Sequence, residues 1–222
     1  MTKRTRPLAR VVALGSLVML GCDATGPDPG LSEPIPAPAS SPDGTVGTAV
    51  LAGGCFWGVE AVFESVKGVL DVVSGYSGGT AATARYELVL LGVTDHAEAV
   101  EVHFDPAQIS YAQILHIFFS VAHDPTQLNR QHPDVGPHYR SNVFFVDEAQ
   151  RLAAVTYIAE LDADGVFPRP IVTRVDSREA FYPAEERHQD FVTKNPRDPY
   201  VVKYDLPKLA NLKRLFPYLY EP

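Results

Sequence analysis

Two kinds of hydrophobic periodicity alternate along the chain from residue 48 onward. Residues 48–51 form a short apolar run of the kind typical of a strand. Apolar side chains then recur at helical spacing within residues 56–66, at Val59, Val62, Phe63 and Val66. Residues 69–74 are apolar and β-branched, and a turn-rich Gly-Tyr-Ser-Gly-Gly segment follows at 75–79. The pattern predicts a strand, a helix, a second strand and a turn.

Residues 97–105 show the alternation of a half-buried strand. Val100 and Val102 share one face with Phe104, while Glu101 occupies the other face. Glu98 is in register with the apolar face. A carboxyl group there would be desolvated, which raises its pKa and makes it a proton donor near neutral pH. The alternative is a frayed strand end with Glu98 in water.

The remaining periodic segments extend the alternation of helix and strand. Ser110 can cap a helix with one apolar stripe, and Asp147 can cap another. The predicted elements are a helix over 110–122, a strand over 142–146, a helix over 147–161, a strand over 171–175 and a helix over 183–193, followed by a proline-punctuated tail. Mixed strands and helices around one core predict an α/β or α+β fold.

The first 21 residues have the composition of a signal peptide. Residues 1–10 carry four basic side chains and no acid, and the apolar run at 11–20 is far shorter than the ~20 residues that span a bilayer. The run ends in Met-Leu-Gly-Cys, which resembles the lipobox of bacterial lipoproteins and predicts lipidation of Cys22. The alternative is an ordinary secretory signal that is cleaved nearby. Either way we expect export, and with the lipid an anchored protein facing the periplasm or the cell exterior.

Residues 22–47 are rich in proline, glycine, alanine and serine, and they predict a semi-extended tether. The predicted organisation is therefore a signal peptide at 1–21, a lipid-anchored linker at 22–47 and a catalytic domain at 48–222. With 222 residues and 45% hydrophobic content, the chain is long enough for one well-buried domain plus extensions.

The net charge restricts the partners. The whole chain carries −8 at pH 7, and removal of residues 1–21 with their four positive charges brings it to −12. An acidic surface repels phosphate backbones and anionic lipid headgroups, so we expect no nucleic-acid binding and membrane attachment through lipid alone. We expect a monomer.

Candidate chemistry is concentrated at Cys55, the only cysteine of the predicted domain, which lies two residues before the only tryptophan. The periodicity places Cys55 between a strand and a helix. Unpaired backbone N–H groups and the helix dipole at such a junction favour a thiolate, so we expect a lowered thiol pKa. The alternative is a buried cysteine that packs as a small hydrophobe.

Five sequence blocks resemble the type A peptide methionine sulfoxide reductases, over residues 49–195. The blocks are Gly54-Cys55-Phe56-Trp57-Gly58-Val59-Glu60, Thr94-Asp95-His96-Ala97-Glu98-Ala99-Val100, His123-Asp124-Pro125, Tyr139-Arg140-Ser141 and His188-Gln189-Asp190. The resemblance implies reduction of the S epimer of methionine sulfoxide. It also implies a two-layer fold whose mixed sheet has a ferredoxin-like split βαβ core.

The resemblance also implies a role for each site residue. Cys55 attacks the sulfoxide sulfur and becomes a sulfenic acid, while Glu98 protonates the oxygen. Tyr86 and Tyr139 donate hydrogen bonds to that oxygen, as neutral phenols can. The remaining roles concern substrate binding: Phe56 and Trp57 receive the terminal methyl group, and Asp134 helps to shape the site.

Two departures from the family pattern stand out. The chain has Gly-Pro-His-Tyr-Arg-Ser at 136–141, where relatives often have Gly-Thr-Gln-Tyr-Arg-Ser. It also has no cysteine after Cys55, whereas many relatives use a second one to form an internal disulfide. We therefore expect an external thiol to reduce the sulfenic acid, of the thioredoxin or the glutaredoxin and glutathione type, with dithiothreitol serving in vitro. We expect no bound cofactor and no metal.

Single features of the sequence are also compatible with two other functions. Ser77 lies in a Gly-x-Ser-x-Gly sequence, the elbow of serine hydrolases, but that elbow needs a helix after the serine and residues 78–83 resemble a loop. The other rival is a thiol peroxidase or a non-catalytic lipoprotein, in which Cys55 reacts with peroxide or only packs. Ser77→Ala and Cys55→Ser variants test the first, and a comparison of rates on methionine sulfoxide and hydrogen peroxide tests the second.

Overall fold

A mixed β-sheet with helices on it forms the framework of the molecule. The computed structural model describes residues 36–37 and 46–222. The strands in this part of the chain are β1 (Gly47–Gly53), β2 (Val69–Ser77), β3 (Ala97–Phe104), β4 (Arg130–Gln131), β5 (Asp134–Val135), β6 (Ser141–Phe145), β7 (Arg174–Ser177) and β8 (Phe181–Pro183). The α-helices are α1 (Phe56–Glu64), α2 (Tyr86–Val89), α3 (Tyr111–Ile117), α4 (Glu148–Ala163), α5 (Phe191–Lys194) and α6 (Leu206–Leu215).

Six strands form the sheet, in the order β7-β6-β1-β3-β2-β8, and β4 pairs with β5 separately. The β6–β7 pair is parallel and the other pairs are antiparallel. Strands β1 and β2 therefore run in the same direction on either side of β3 and are joined by α1. Strands β3 and β6 likewise run in the same direction on either side of β1. This is the split βαβ arrangement repeated, which confirms the α/β class and the mixed ferredoxin-like sheet.

The main core lies between one face of the sheet and the helices. Leu51 of β1 and Val100 of β3 pack there with Val62 and Phe63 of α1, all fully buried. A smaller apolar cluster lies on the opposite face, around Phe144. The arrangement has two layers, as expected, and α1 packs against both β2 and β3. Only two residues separate its first residue from the end of β1.

The predicted elements are largely confirmed through residue 163. Ser110 and Gln113 form a capping box at the start of α3, and a π-helical turn over Phe118–Ala122 continues that helix to the predicted end. Asp147 caps α4 through the backbone N–H of Gln150. One difference is the segment expected to be a turn at 75–79, because β2 extends through Ser77 by pairing with both β3 and β8.

The prediction for the last third of the chain is wrong in two places. No helix spans 183–193: Pro183 ends β8, a 3₁₀ turn covers Glu186–His188, and α5 is a single turn. Pairing of β8 with the edge of β2 overrides the local helical pattern. The expected tail contains α6, in which Pro207 occupies the first turn, where its missing N–H costs nothing. The strand expected at 171–175 lies at 174–177.

The signal peptide at 1–21, Cys22 and nearly all of the linker lie outside the described residues. One described residue of the linker contacts the domain, because the hydroxyl of Tyr157 donates a 2.6 Å hydrogen bond to the Pro36 carbonyl. Among the described helices, none combines the length and the apolar character needed to cross a membrane.

Candidate active site

Cys55 lies at the junction that the periodicity predicts, between the end of β1 and the first residue of α1. Gly54 precedes it with φ +91°, and a Cβ at Gly54 would lie 2.5 Å from the Cβ of Gln131, so both the conformation and the space require glycine. Cys55 is half-buried, and its side chain makes no capping hydrogen bond to α1.

The expectation of a lowered thiol pKa at Cys55 is wrong. Burial raises this pKa well above its ordinary value, and the negative charges of Glu98, Asp205 and Asp134 raise it further. The backbone N–H of Trp57 lowers it, as a helix start should, but this single donor is outweighed. The sequence analysis placed the helix start, Glu98 and Asp134 beside Cys55, but it did not reveal the burial of the thiol or the approach of Asp205.

Glu98 faces inward from the start of β3 with only 2% of its surface exposed, which excludes the frayed strand end in water. The backbone N–H of Phe56 donates a 3.2 Å hydrogen bond to its Oε2. Burial raises the pKa of Glu98 to about 8, against the lowering effect of this hydrogen bond and with a contribution from Asp134. The carboxyl group is therefore mainly protonated at neutral pH, and it lies beside Phe56, the residue that follows Cys55.

Tyr86 and Tyr139 belong to the same electrostatic environment. Tyr86 begins α2 and Tyr139 ends the 3₁₀ turn Pro137–Tyr139, and both are half-buried. Burial raises the pKa of Tyr86 to about 12 and raises the pKa of Tyr139, and Glu98 and Cys55 contribute to both shifts. Both phenols stay protonated and can donate hydrogen bonds.

Separate side chains hold the two tyrosines in place. The Glu185 carboxylate accepts hydrogen bonds from the backbone N–H of Tyr86 at 3.0 Å and from the hydroxyl of Tyr76 at 2.9 Å.

The guanidinium of the buried Arg140 donates hydrogen bonds to three backbone carbonyls, those of Pro137, His96 and Asp95, at 3.0, 3.1 and 2.8 Å. Arg140 thus ties the turn that carries Tyr139 to the loop before Glu98.

The two aromatic residues after Cys55 differ in exposure. Phe56 is 1% exposed and belongs to the main core. Trp57 is half-buried, its Nε1 donates to His188 Nδ1 at 3.2 Å, and its ring stacks on Phe191 at 3.7 Å. The Trp57 ring therefore supplies accessible apolar surface beside Cys55.

Two site residues were missed in the sequence because they lie in the expected tail. Tyr200 donates a short hydrogen bond to the Asp134 carboxylate and meets Trp57 edge to face. Asp205 is fully buried, and the nearest cation is Lys208, with 3.9 Å between Nζ and Oδ1. A Cβ at Gly58 would lie 2.2 Å from Asp205 Oδ1. The glycine inside α1 was therefore the sequence feature that could have indicated a side chain packed closely against this helix.

The remaining candidates are accounted for by packing. Ser77 is a buried strand residue whose hydroxyl donates to the carbonyl of Ala180 at 2.9 Å, which leaves no hydrolase elbow. His138, the departure in the 136–141 loop, is buried, and burial lowers its pKa. Among residues 36–37 and 46–222, no group of three or more His, Cys, Asp or Glu side chains could hold a metal ion.

The site brings together a thiol, a protonated carboxyl group and two phenols. The carboxyl and phenol groups are neutral hydrogen donors, and the thiolate is a strong nucleophile once formed. Such a set can attack a sulfur atom and stabilise an oxygen that gains negative charge as it leaves that atom.

Comparisons with known proteins agree with this chemistry. The family model described as peptide methionine sulfoxide reductase matches residues 47–216. The chain is 55% identical over 173 residues to the peptide methionine sulfoxide reductase MsrA 2 of Mesorhizobium japonicum, covering 78% of this chain and 89% of that protein. It is 48% identical over 206 residues to the MsrA 2 of Synechocystis sp., covering 92% and 94%.

Two solved structures are similar in fold. The reduced form of Mxr1 from Saccharomyces cerevisiae matches with a TM-score of 0.65 and 31% identity, covering 72% of this chain and 92% of that one. Methionine sulfoxide reductase A of Corynebacterium diphtheriae matches with a TM-score of 0.59 and 28% identity, covering 79% and 91%.

Proposed function

The chain belongs to the peptide methionine sulfoxide reductase family, and from that premise we propose that it reduces the S epimer of methionine sulfoxide in proteins and peptides through a sulfenic acid on Cys55. The observation that carries the proposal is the contact between Phe56 and Glu98. The residue next to the nucleophile donates its N–H to a buried carboxyl group whose pKa is about 8. Nucleophile and proton donor are thereby held together.

The reaction transfers one oxygen atom and two electrons. The Cys55 thiolate forms a bond to the sulfoxide sulfur while Glu98 gives a proton to the oxygen, and Tyr86 and Tyr139 donate hydrogen bonds to the same atom. The S–O bond and the new bond between the two sulfur atoms then break as the oxygen bonds to Sγ, so Cys55 is oxidised to a sulfenic acid and the substrate is released as methionine. In this proposal the Trp57 ring receives the substrate's methyl group, and Asp134 shapes the site together with Tyr200, which meets that ring edge to face. Phe56, which was expected to share the methyl contact, is buried in the core.

The reductant in this proposal is an external thiol. Cys55 is followed by no other cysteine, and Cys22 is the one other cysteine of the chain. A thiol of the thioredoxin, glutaredoxin or glutathione type therefore attacks the sulfenic acid directly. We expect that incubation with substrate and no reductant gives a sulfenic acid on Cys55 that dimedone traps. Detection by mass spectrometry of a Cys22–Cys55 disulfide instead would contradict this step.

The decisive experiment uses the separated S and R epimers of a methionine sulfoxide peptide with dithiothreitol. We expect turnover of the S epimer, its loss in Cys55→Ser, and a rate roughly 10²- to 10⁴-fold lower in Glu98→Gln, the usual size of a general-acid contribution. Equal use of both epimers, or an active Cys55→Ser variant, would refute the proposal. A faster reaction with hydrogen peroxide than with the sulfoxide would favour a thiol peroxidase.

The proposed setting is outside the cytoplasm, where the enzyme repairs oxidised exported proteins. The support is the composition of residues 1–21 and the Gly-Cys sequence that ends them. In this proposal Cys22 carries the lipid and the acidic domain is held by that anchor alone. Fractionation of cells that express the wild type and Cys22→Ser tests it, since only the wild type should stay with the membranes. Equal membrane retention of both would rule out the anchor.

A further inference from the structure

Glu60 is a buried carboxyl group that the proposed reaction does not use. It lies in α1, three residues after Trp57, so the two side chains share one side of the helix. Only 1% of Glu60 is exposed, and neither carboxyl oxygen has a partner at hydrogen-bonding distance among residues 36–37 and 46–222. A buried acid is costly unless its surroundings compensate, so those surroundings indicate what it does.

Groups from two other elements face this carboxyl group. The Ser74 hydroxyl comes from β2, and the backbone N–H of Phe191 comes from α5. Burial raises the pKa of Glu60 to about 8, and the charges of Glu64 and Asp190 add to the increase. The Ser74 hydroxyl and the Phe191 N–H oppose it. Glu60 is therefore mainly a neutral carboxylic acid at neutral pH.

The neutral form suits these neighbours. A carboxylic acid has one O–H donor as well as acceptor lone pairs, so it can serve a hydroxyl and an N–H at once. A carboxylate has acceptors only, and here it would be buried close to two further acids, Glu64 and Asp190. Lys194, the cation beside them, is already paired with Asp190 at 2.9 Å. A charge on Glu60 would thus lack compensation.

Phe191 supports the ring of Trp57. The two rings stack with their centroids 3.7 Å apart and 9° between their planes. Gln189 fixes the preceding chain, because its side-chain amide exchanges two 2.9 Å hydrogen bonds with the backbone of Ser74. Asp190 has φ +51°, a conformation that a residue other than glycine keeps only where neighbouring contacts impose it. Glu60 faces the N–H that directly follows this constrained residue.

We propose that Glu60, as a neutral acid, is a positioning residue that holds Phe191 against Trp57 and thereby sets the width of the pocket for the substrate's methyl group. The inference rests on the proposed function, in which the Trp57 ring receives that group. Glu60 acts through Phe191 and Trp57 and does not touch the substrate itself. It therefore affects which alkyl group on the sulfur is accepted more than it affects the chemical step.

Selectivity between alkyl groups is the first test. Full-length protein is incubated with peptides that carry the S epimer of methionine sulfoxide or of ethionine sulfoxide, at saturating dithiothreitol, and the ratio of the two kcat/KM values is the methyl preference. We expect Glu60→Ala to lower this preference about five- to tenfold, within the effect of one methylene group in an apolar pocket. In Glu60→Gln it should stay within about twofold of wild type, because an amide also has a donor and an acceptor. Glu64→Gln is the matched control, since Glu64 is the exposed acid one turn further along α1.

Trp57 is the only tryptophan of the chain, so its fluorescence reports directly on the stacked ring. Loss of the stack exposes the indole to water, and we expect Glu60→Ala to shift the emission to longer wavelength and to increase quenching by acrylamide. Glu60→Gln and Glu64→Gln should match the wild type. Phe191→Leu removes the stacked ring and should reproduce both effects of Glu60→Ala, and the double variant should add nothing further.

The outcomes separate this role from the proposed function. An unchanged methyl preference in Glu60→Ala would overturn the role of Glu60, as would an equal loss in Glu60→Gln. A fall in kcat of more than about tenfold with the preference intact would overturn it too, because Glu60 would then act on the chemical step. If Glu60→Ala does not fold, Glu60→Gln must keep the preference and Phe191→Leu must lose it. No turnover of methionine sulfoxide by the wild type would refute the proposed function, and the emission of Trp57 would then decide the role of Glu60 separately.

Discussion

Cys55 and Glu98 are both acids, and the charge of Glu98 acts on the Cys55 thiol. Burial raises the pKa of both groups, and the charge of Glu98 adds to the shift at Cys55. In the mechanism that we propose, the form that reacts has a thiolate and a protonated carboxyl group, so it holds one proton between the two residues. It forms when the pair loses its first proton and disappears when the pair loses its second. This arrangement differs from that of an enzyme whose cysteine is already ionised at neutral pH before the substrate binds.

A bell-shaped pH profile follows for reduction of the S epimer. We expect kcat/KM of the wild type to rise through a limb near pH 8, where Glu98 titrates, and to fall at higher pH where the thiol titrates. In Glu98→Gln the descending limb should vanish and the remaining rise should follow the thiol alone. A wild-type profile that is flat from pH 6 to 9 would contradict the shared proton.

At the scale of residues, the sequence predicts which side chains share a face, because the regular repeat of a strand or helix determines this. The two-residue repeat of β3 places Glu98 on the face of Val100, and its burial confirms this. The contact between Asp134 and Tyr200 joins positions 66 residues apart in short or irregular segments, and no local pattern connects them. The prediction of a lowered thiol pKa at Cys55 was wrong for the same reason, since two of the carboxyl groups that raise this pKa come from such segments.

At the scale of elements, short segments carry much of the site and depend on tertiary contacts. Helix α2 has four residues, too few for a stable isolated helix. Its first N–H is bound by Glu185, which follows β8, and the same carboxylate accepts from Tyr76 of β2. Glu185 is therefore a positioning residue for Tyr86. The sequence did not predict this role, because Glu185 was expected inside a helix over 183–193 and it instead lies between β8 and a 3₁₀ turn.

The variant Glu185→Ala should lower kcat/KM for the S epimer by about tenfold, since Tyr86 loses the acceptor that fixes its backbone and its hydroxyl no longer meets the substrate oxygen in one geometry. The neighbouring Glu186→Ala is the control, because Glu186 is exposed and only pairs with Lys194 at 3.5 Å. The limb near pH 8 should stay in place in both variants. A displaced limb in Glu185→Ala would show that Glu185 acts on the Cys55–Glu98 pair instead of on Tyr86.

At the scale of the whole molecule, one contact joins a described residue of the predicted linker, Pro36, to Tyr157 of α4. The family match begins at residue 47, as does β1. The division into a signal peptide, a linker and a catalytic domain stays a prediction. The linker composition gave no indication that Pro36 would contact Tyr157, because a backbone carbonyl can serve as an acceptor at any residue. Tyr157 is 1% exposed and packs edge to face on Phe119 in the core.

Removal of the linker should therefore change stability and leave catalysis intact. A chain that begins at residue 46 should keep kcat/KM within about twofold of a chain that begins at residue 22. Its free energy of unfolding should fall by roughly 1 kcal/mol, because the Tyr157 hydroxyl loses its acceptor. In Tyr157→Phe the hydroxyl is absent from both lengths, so urea unfolding should give the same stability for each. If truncation destabilised the Tyr157→Phe chain by the same amount as the wild type, the contribution of the linker would not come from the Pro36 contact.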